Sequence, residues 1–141
     1  MEYSVKKVLF LTFLAIGCTS ASVFAKGKNM QLMATCPTLS LINSTNPANP
    51  PSDSPWNLGN IQGTAPYRFT GAEIKFIKVG STEEATITCK YHDSKNALYR
   101  AFTQFQSPEV DPKTCSFVIN EGGAVKCPYD DPAKCKIYCS T

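Results

Sequence analysis

ATITCKYH, residues 85–92, is the stretch whose reading decides the fold. Its side chains alternate without a break: Ala85, Ile87, Cys89 and Tyr91 on one side, Thr86, Thr88, Lys90 and His92 on the other. A period of two marks a half-buried β-strand, because successive side chains of a strand point to opposite faces of the sheet. The flanking segments read in the same way. YRFTGAEIKFIKVG (residues 67–80) sets Ala72, Ile74 and Phe76 against Lys75, Ile77 and Val79, with Gly71 marking a bend or bulge. Residues 81–84 and 93–96 read as turns. ALYRAFTQF (residues 97–105) has Leu98 and Phe102 on one face and Tyr99, Ala101 and Phe105 on the other. A helix fits there too, but the aromatic content and the neighbouring strands favour a doubly buried strand.

Working outward, TLSLIN (residues 38–43), TCSFVI (114–119), AVKCP (124–128) and KCKIYC (134–139) add further short strands. SPEVDPK (107–113) reads as a loop. Asp131 and Pro132 suit the cap and first position of a turn or a single helical turn. Six or seven short strands with frequent turns predict an all-β domain, a small antiparallel β-sandwich or barrel. Residues 43–63 carry four prolines between Pro47 and Pro55 and predict a long loop, since proline removes a backbone donor and fixes φ. Trp56 lies at its end. A tryptophan there is either a recognition anchor for a glycan or a partner protein, or the plug that pins the loop to the domain; the plug is the commoner use.

The chain opens with Lys6 and Lys7, followed by ten uncharged residues (8–17). Ten residues are too few to span a bilayer and suit the apolar core of a signal peptide. Cys18 is preceded by Ala15, Ile16 and Gly17, a poor lipoprotein signal. Val23 and Ala25 supply the small residues that ordinary signal cleavage wants, and the compact signal looks bacterial. The expected organisation is a signal peptide at 1–25, a flexible mature N-terminus at 26–35, and a single disulfide-rich β domain at 36–141. No stable membrane anchor remains after cleavage. Residues 26–141 keep 12 basic and 10 acidic residues, a net charge of +2. That is too small, and too dispersed, to imply nucleic acid or an anionic membrane.

Six cysteines remain: Cys36, Cys89, Cys115, Cys127, Cys135 and Cys139. An even number in an exported chain reads as a disulfide framework. One pairing has a geometric argument. A three-residue hairpin loop at residues 120–122, with Gly122 in the left-handed place, would pair Ile119 with Gly123 and set Cys115 opposite Cys127. A two-residue loop at Gly122 and Gly123 would break that match. In the first register Cys36 and Cys89 are left to pair with Cys135 and Cys139, in an order that stays open.

The order of landmarks also resembles a known family. Cys36-Pro37 follows a short mature start, Trp56 precedes Gly59 and Gly63, and Phe69-Thr70-Gly71-Ala72 opens a strand. Thr88-Cys89-Lys90-Tyr91 sits mid-chain and Cys127-Pro128-Tyr129 near the end. This resembles the small exported bacterial proteins of the domain-of-unknown-function family three-seven-five-seven, over residues 36–129. The resemblance implies export, size and disulfides, and carries over no catalytic residue.

Chemistry has few candidates. His92 is the single histidine, so any Ser-His-Asp or Cys-His mechanism must use it. Cys89, three residues away on a strand, faces the opposite side, so the two form no local pair. Glu83, Glu84, Glu109, Asp111, Asp130 and Asp131 fall in predicted turns, where solvated charge is the usual case. A glycosidase needs two carboxylates brought within about 5–10 Å of each other. The spacing of Cys127, Cys135 and Cys139 contains no C-x2-C pair, which speaks against a zinc site and against a redox motif. No metal or cofactor is expected. The resulting expectation is a non-catalytic binding or interaction module, periplasmic or secreted, whose partner is another protein or a glycan. A small exported hydrolase using His92 or a turn-borne carboxylate pair is the first alternative, and a structural envelope protein the second.

Overall fold

The decisive stretch lies within β3 (Thr82–His92), which occupies an inner position of a four-stranded sheet ordered β4-β3-β2-β7. Its partners are β2 (Arg68–Val79), β4 (Leu98–Gln106) and, beyond β2, the two-residue β7 (Lys126–Cys127). The second sheet is ordered β1-β8-β5-β6, from β1 (Met30–Thr35), β5 (Asp111–Ile119), β6 (Gly122–Ala124) and β8 (Lys136–Ser140). The strand pairings are antiparallel. The structure is a computed structural model that describes residues 29–44, 54–59, 61–120 and 122–141. The expected signal peptide and its cleavage, residues 26–28 and the centre of the proline loop fall outside those residues.

The chain forms an all-β, disulfide-stapled sandwich. The inward residues of both sheets make one core, with Ala85, Ile87, Cys89, Tyr91, Tyr99 and Ala101 from the first and Cys115, Phe117, Ile137 and Cys139 from the second. Three aromatic contacts, Tyr67 to Tyr99, Phe69 to Tyr91 and Tyr91 to Tyr99, have centroids 5.2 to 6.2 Å apart. Full burial of a side chain such as Phe117 or Ile137 stabilises by about 1.5–3 kcal/mol.

The β2–β3 hairpin closes through Gly80 and Ser81, with Val79 opposite Thr82. Gly80 has φ +63, as the first position of a type II′ turn requires. The turn is thus two residues long, and Thr82, Glu83 and Glu84, read as turn from the sequence, belong to β3. Gly71 does mark a bulge, where the β2–β3 register shifts. At φ +128 it lets the Cys127 carbonyl approach; a Cβ there would come within 2.9 Å of that oxygen.

Three further expectations need correction. Residues 30–35 are not a loose terminus. They form β1, held by β8 along Met30 to Thr35. Residues 38–43 are not a strand but the start of a short helix, α1 (Leu39–Ser44). Thr38 caps it, its Oγ1 accepting from the Leu41 N–H at 3.2 Å and its carbonyl from the Ile42 N–H at 3.0 Å. Ile42 is buried beneath it.

The third correction concerns the cysteines. Cys115 does not join Cys127. The disulfides are Cys36–Cys89, Cys115–Cys139 and Cys127–Cys135. The β5–β6 hairpin pairs Ile119 with Gly122. That register is one residue off the one that would oppose Cys115 and Cys127. The chain then leaves this sheet altogether: β7 pairs with β2, setting Cys127 opposite Ala72. Cys115 instead meets β8, where Ser116 pairs with Tyr138 and Phe117 with Ile137, so that Cys139 lies directly across with Cα atoms 4.1 Å apart. Cys36 and Cys89 bond each other across the sandwich. Three disulfides fit an oxidising compartment. Among the described residues no helix is long and apolar enough to cross a membrane.

Candidate functional site

His92 and Glu83 stand at opposite ends of β3, and Glu83 and Asp111 both act on Lys113. His92 ends β3 on the outer face of its sheet, half-exposed, with Nδ1 2.8 Å from the Thr70 hydroxyl. Glu83 and Glu84 are consecutive on a strand and diverge. Glu83 pairs with Lys113 at 2.8 Å, whereas Glu84 accepts from the Gln106 amide at 2.7 Å. Asp131 caps a single 3-10 turn (Pro132–Lys134), accepting from the Ala133 N–H. Among the described residues no group of three His, Cys, Asp or Glu side chains could hold a metal ion.

Trp56 is buried at 7% exposure, and its indole N–H donates to the Thr35 carbonyl at 3.1 Å. Its ring is therefore committed to holding the end of the proline loop against β1. Asn57 continues the attachment through a single bridge to Phe102 of β4, at the other edge of the sheet. Further along, Asp93 fixes the loop. Its carboxylate accepts from the N–H groups of Thr64, Lys95 and Ala97 at 2.8 to 3.0 Å. These bonds, the Thr64 N–H foremost, hold its pKa below the usual carboxylate range. Gly63 is required there, since a Cβ would come within 2.5 Å of the Asp93 carboxylate.

The opposite edge of the same sheet is open. β7 covers only Ala72 and Glu73 of β2, and the last bond in that lane is Ile74 N–H to the Val125 carbonyl at 2.8 Å. From Lys75 to Val79, β2 has a partner only on its β3 side among the described residues. Strand geometry says which groups are left. Ile74 directs its backbone outward, so Phe76 and Lys78 do likewise, while Lys75, Ile77 and Val79 bond towards β3. The open lane thus presents two N–H and two C=O groups.

The side chains around this lane are apolar beyond what an edge needs. Phe76 is on the core face yet 46% exposed, because the facing sheet ends at β6 and the chain veers away to β7. Ile77 and Val79 lie exposed on the outer face, and Val118 and Val125 add to the apolar surface. Between the β2 edge and the other sheet runs an open groove of about 610 Å³, lined by Phe76, Thr114, Ser116, Ala124 and Val125 among others. Lys113 and Lys126 border it. A smaller recess of about 160 Å³ adjoins it past Phe76, beside Pro112. Period-two alternation in the sequence identified the two faces of β2 but carried no information about which edge would lack a neighbour.

Comparison with known proteins adds no assignment: no family model, no curated protein and no solved structure matches the chain.

Proposed function

We propose that this is a non-catalytic binding module, exported through the signal at residues 1–25, that engages an extended polypeptide along the open β2 edge. One observation carries the reading: five consecutive residues, Lys75 to Val79, form an uncovered strand edge that bears three exposed apolar side chains. An exposed edge is a template for another strand. Backbone groups supply the pairing and alternate side chains supply selectivity, as in other strand-addition complexes. Lys75 and Lys78 are the usual guard against indiscriminate pairing. Phe76, Ile77 and Val79 work against that guard and favour a chosen partner. The protein alternative is thereby preferred to a glycan, which would not use a row of backbone donors and acceptors in this way.

The test is a displayed library of unstructured peptides selected against the protein and against Lys78→Pro. Proline removes an outward N–H without touching a bond to β3. Peptides that bind the protein and lose at least tenfold in affinity for Lys78→Pro support the reading. Binding that is indifferent to Lys78→Pro, with the variant folded, contradicts it.

A further inference from the structure

We infer that the strand occupying the β2 edge is the β2 edge of a second copy of this chain, paired antiparallel about a two-fold axis through Ile77. This rests on the reading of the edge as a pairing site and names its partner. The geometry restricts the register severely. Only Phe76 and Lys78 direct backbone groups outward, so even-numbered residues must face even-numbered residues across the axis. That leaves axes through residue 76, 77 or 78. An axis at Phe76 would set Lys78 of the second copy opposite Ile74, whose N–H is already bonded to Val125. An axis at Lys78 would oppose Lys78 with its own copy, a like-charge pair.

The axis at Ile77 meets neither obstacle. Ile77 faces Ile77, Lys75 faces Val79, and Phe76 faces Lys78. Phe76 and Lys78 exchange two hydrogen bonds on each side of the axis, four in all, so every open backbone group of the window is used. The free window runs from Val125, docked on Ile74, to the turn at Gly80. Its five residues are filled by the same five residues of the second copy, and the second hairpin turns away where Val125 begins. No lysine opposes a lysine. The aliphatic stem of Lys78 lies along the exposed Phe76 ring of the second copy, a placement that suits both the stem and the cation. Lys75 is partly compensated by Glu73 at 3.6 Å. Lys78, on the same face as its own copy one step along the diagonal, leaves residual repulsion, so salt strengthens this pairing. An acidic peptide bound at the same lysines would be weakened by salt instead.

The experiment joins sedimentation with cross-linking on the mature protein. The mass should double between low and high micromolar concentration, at lower concentration when salt is raised. Ile77→Cys should cross-link to a covalent dimer under mild oxidation, because directly opposed residues at such a site have Cα atoms about 4.5 Å apart. Val79→Cys should not, since the two Val79 positions would be roughly 14 Å apart along the strands. Ile77→Lys, at an exposed position that leaves the hairpin intact, should return the protein to monomer. A protein monomeric throughout, or cross-linking as readily at residue 79 as at 77, overturns the inference. If peptides selected from the library still depend on Lys78 in that case, only the identity of the partner is rejected; if none do, the edge reading falls with it.

Discussion

Tyr91 and Tyr99 sit side by side in the core, ring centroids 6.2 Å apart, on paired strands, yet their hydroxyls have opposite circumstances. The Tyr91 hydroxyl donates to the Pro37 carbonyl at 2.6 Å, tying β3 to the segment between β1 and α1 next to the Cys36–Cys89 disulfide. The Tyr99 hydroxyl is equally buried and has no hydrogen-bond partner among the described residues. Replacing each by phenylalanine removes one oxygen and leaves the ring in place. Tyr91→Phe deletes a buried bond and strands the Pro37 carbonyl, a loss of about 1–2 kcal/mol. Tyr99→Phe removes a polar group whose burial already costs about 1–3 kcal/mol, so it should be neutral or stabilising. Urea unfolding followed by Trp56 emission reads both. With a slope of about 1–3 kcal/mol per molar, Tyr91→Phe should lower the midpoint by roughly 0.5–1 M. Equal losses for the two variants, or a larger loss for Tyr99→Phe, would refute this reading of the core.

The same tyrosines set an alkaline limit. Burial raises the Tyr91 pKa far above 10 and pushes that of Tyr99 up to about 12. The neutral forms are favoured in the folded state, so this stabilisation is complete below pH ~10 and is lost as pH rises beyond it. The fall should be shallower in either phenylalanine variant, as urea unfolding across that range would show. At the acid end Asp93 acts in the reverse sense. Its lowered pKa gives stability that is present above the ordinary carboxylate range and lost as pH falls through the folded value; Asp93→Asn should flatten that part of the acid unfolding profile. Trp56 emission should be blue-shifted in the native protein and move red on unfolding, and a native spectrum of exposed indole would contradict its docking. The Cys36–Cys89 loop, with a separation of 53, encloses no other disulfide, whereas Cys127 and Cys135 have a separation of only 8. Replacing each pair by alanine should cost about 4 and about 2.5 kcal/mol respectively on the chain-entropy model; a reversed order in urea unfolding would count against it.

How much of this was legible in the sequence follows from which information is local. The alternation of residues 85–92 and of β2 is a property of each strand alone, so faces and core residues could be read directly. β1 could not. MQLMAT shows no period of two, and it is a strand because β8 lies beside it. α1 was hidden by the short alternation of Leu39 and Leu41, while the decisive signal was Thr38 as its cap. The disulfides were misassigned because pairing Cys115 with Cys127 assumes that the hairpin stays in one sheet. The chain crosses to β2 after Ala124, a long-range event with no mark in the residues that precede it. The open edge is the same kind of fact. Nothing in KFIKV says that β7 stops at Glu73.

Amide hydrogen exchange at residues 75–79 tests the account most directly. In dilute protein the N–H groups of Phe76 and Lys78 should exchange fast, while those of Ile77 and Val79, bonded towards β3, are protected. As concentration rises, Phe76 and Lys78 should gain protection and the others should change little. Protection of Phe76 and Lys78 already present at the lowest concentration would mean the edge is covered by the chain itself, and exchange that stays fast at every concentration would mean no second copy pairs there; either result contradicts the account.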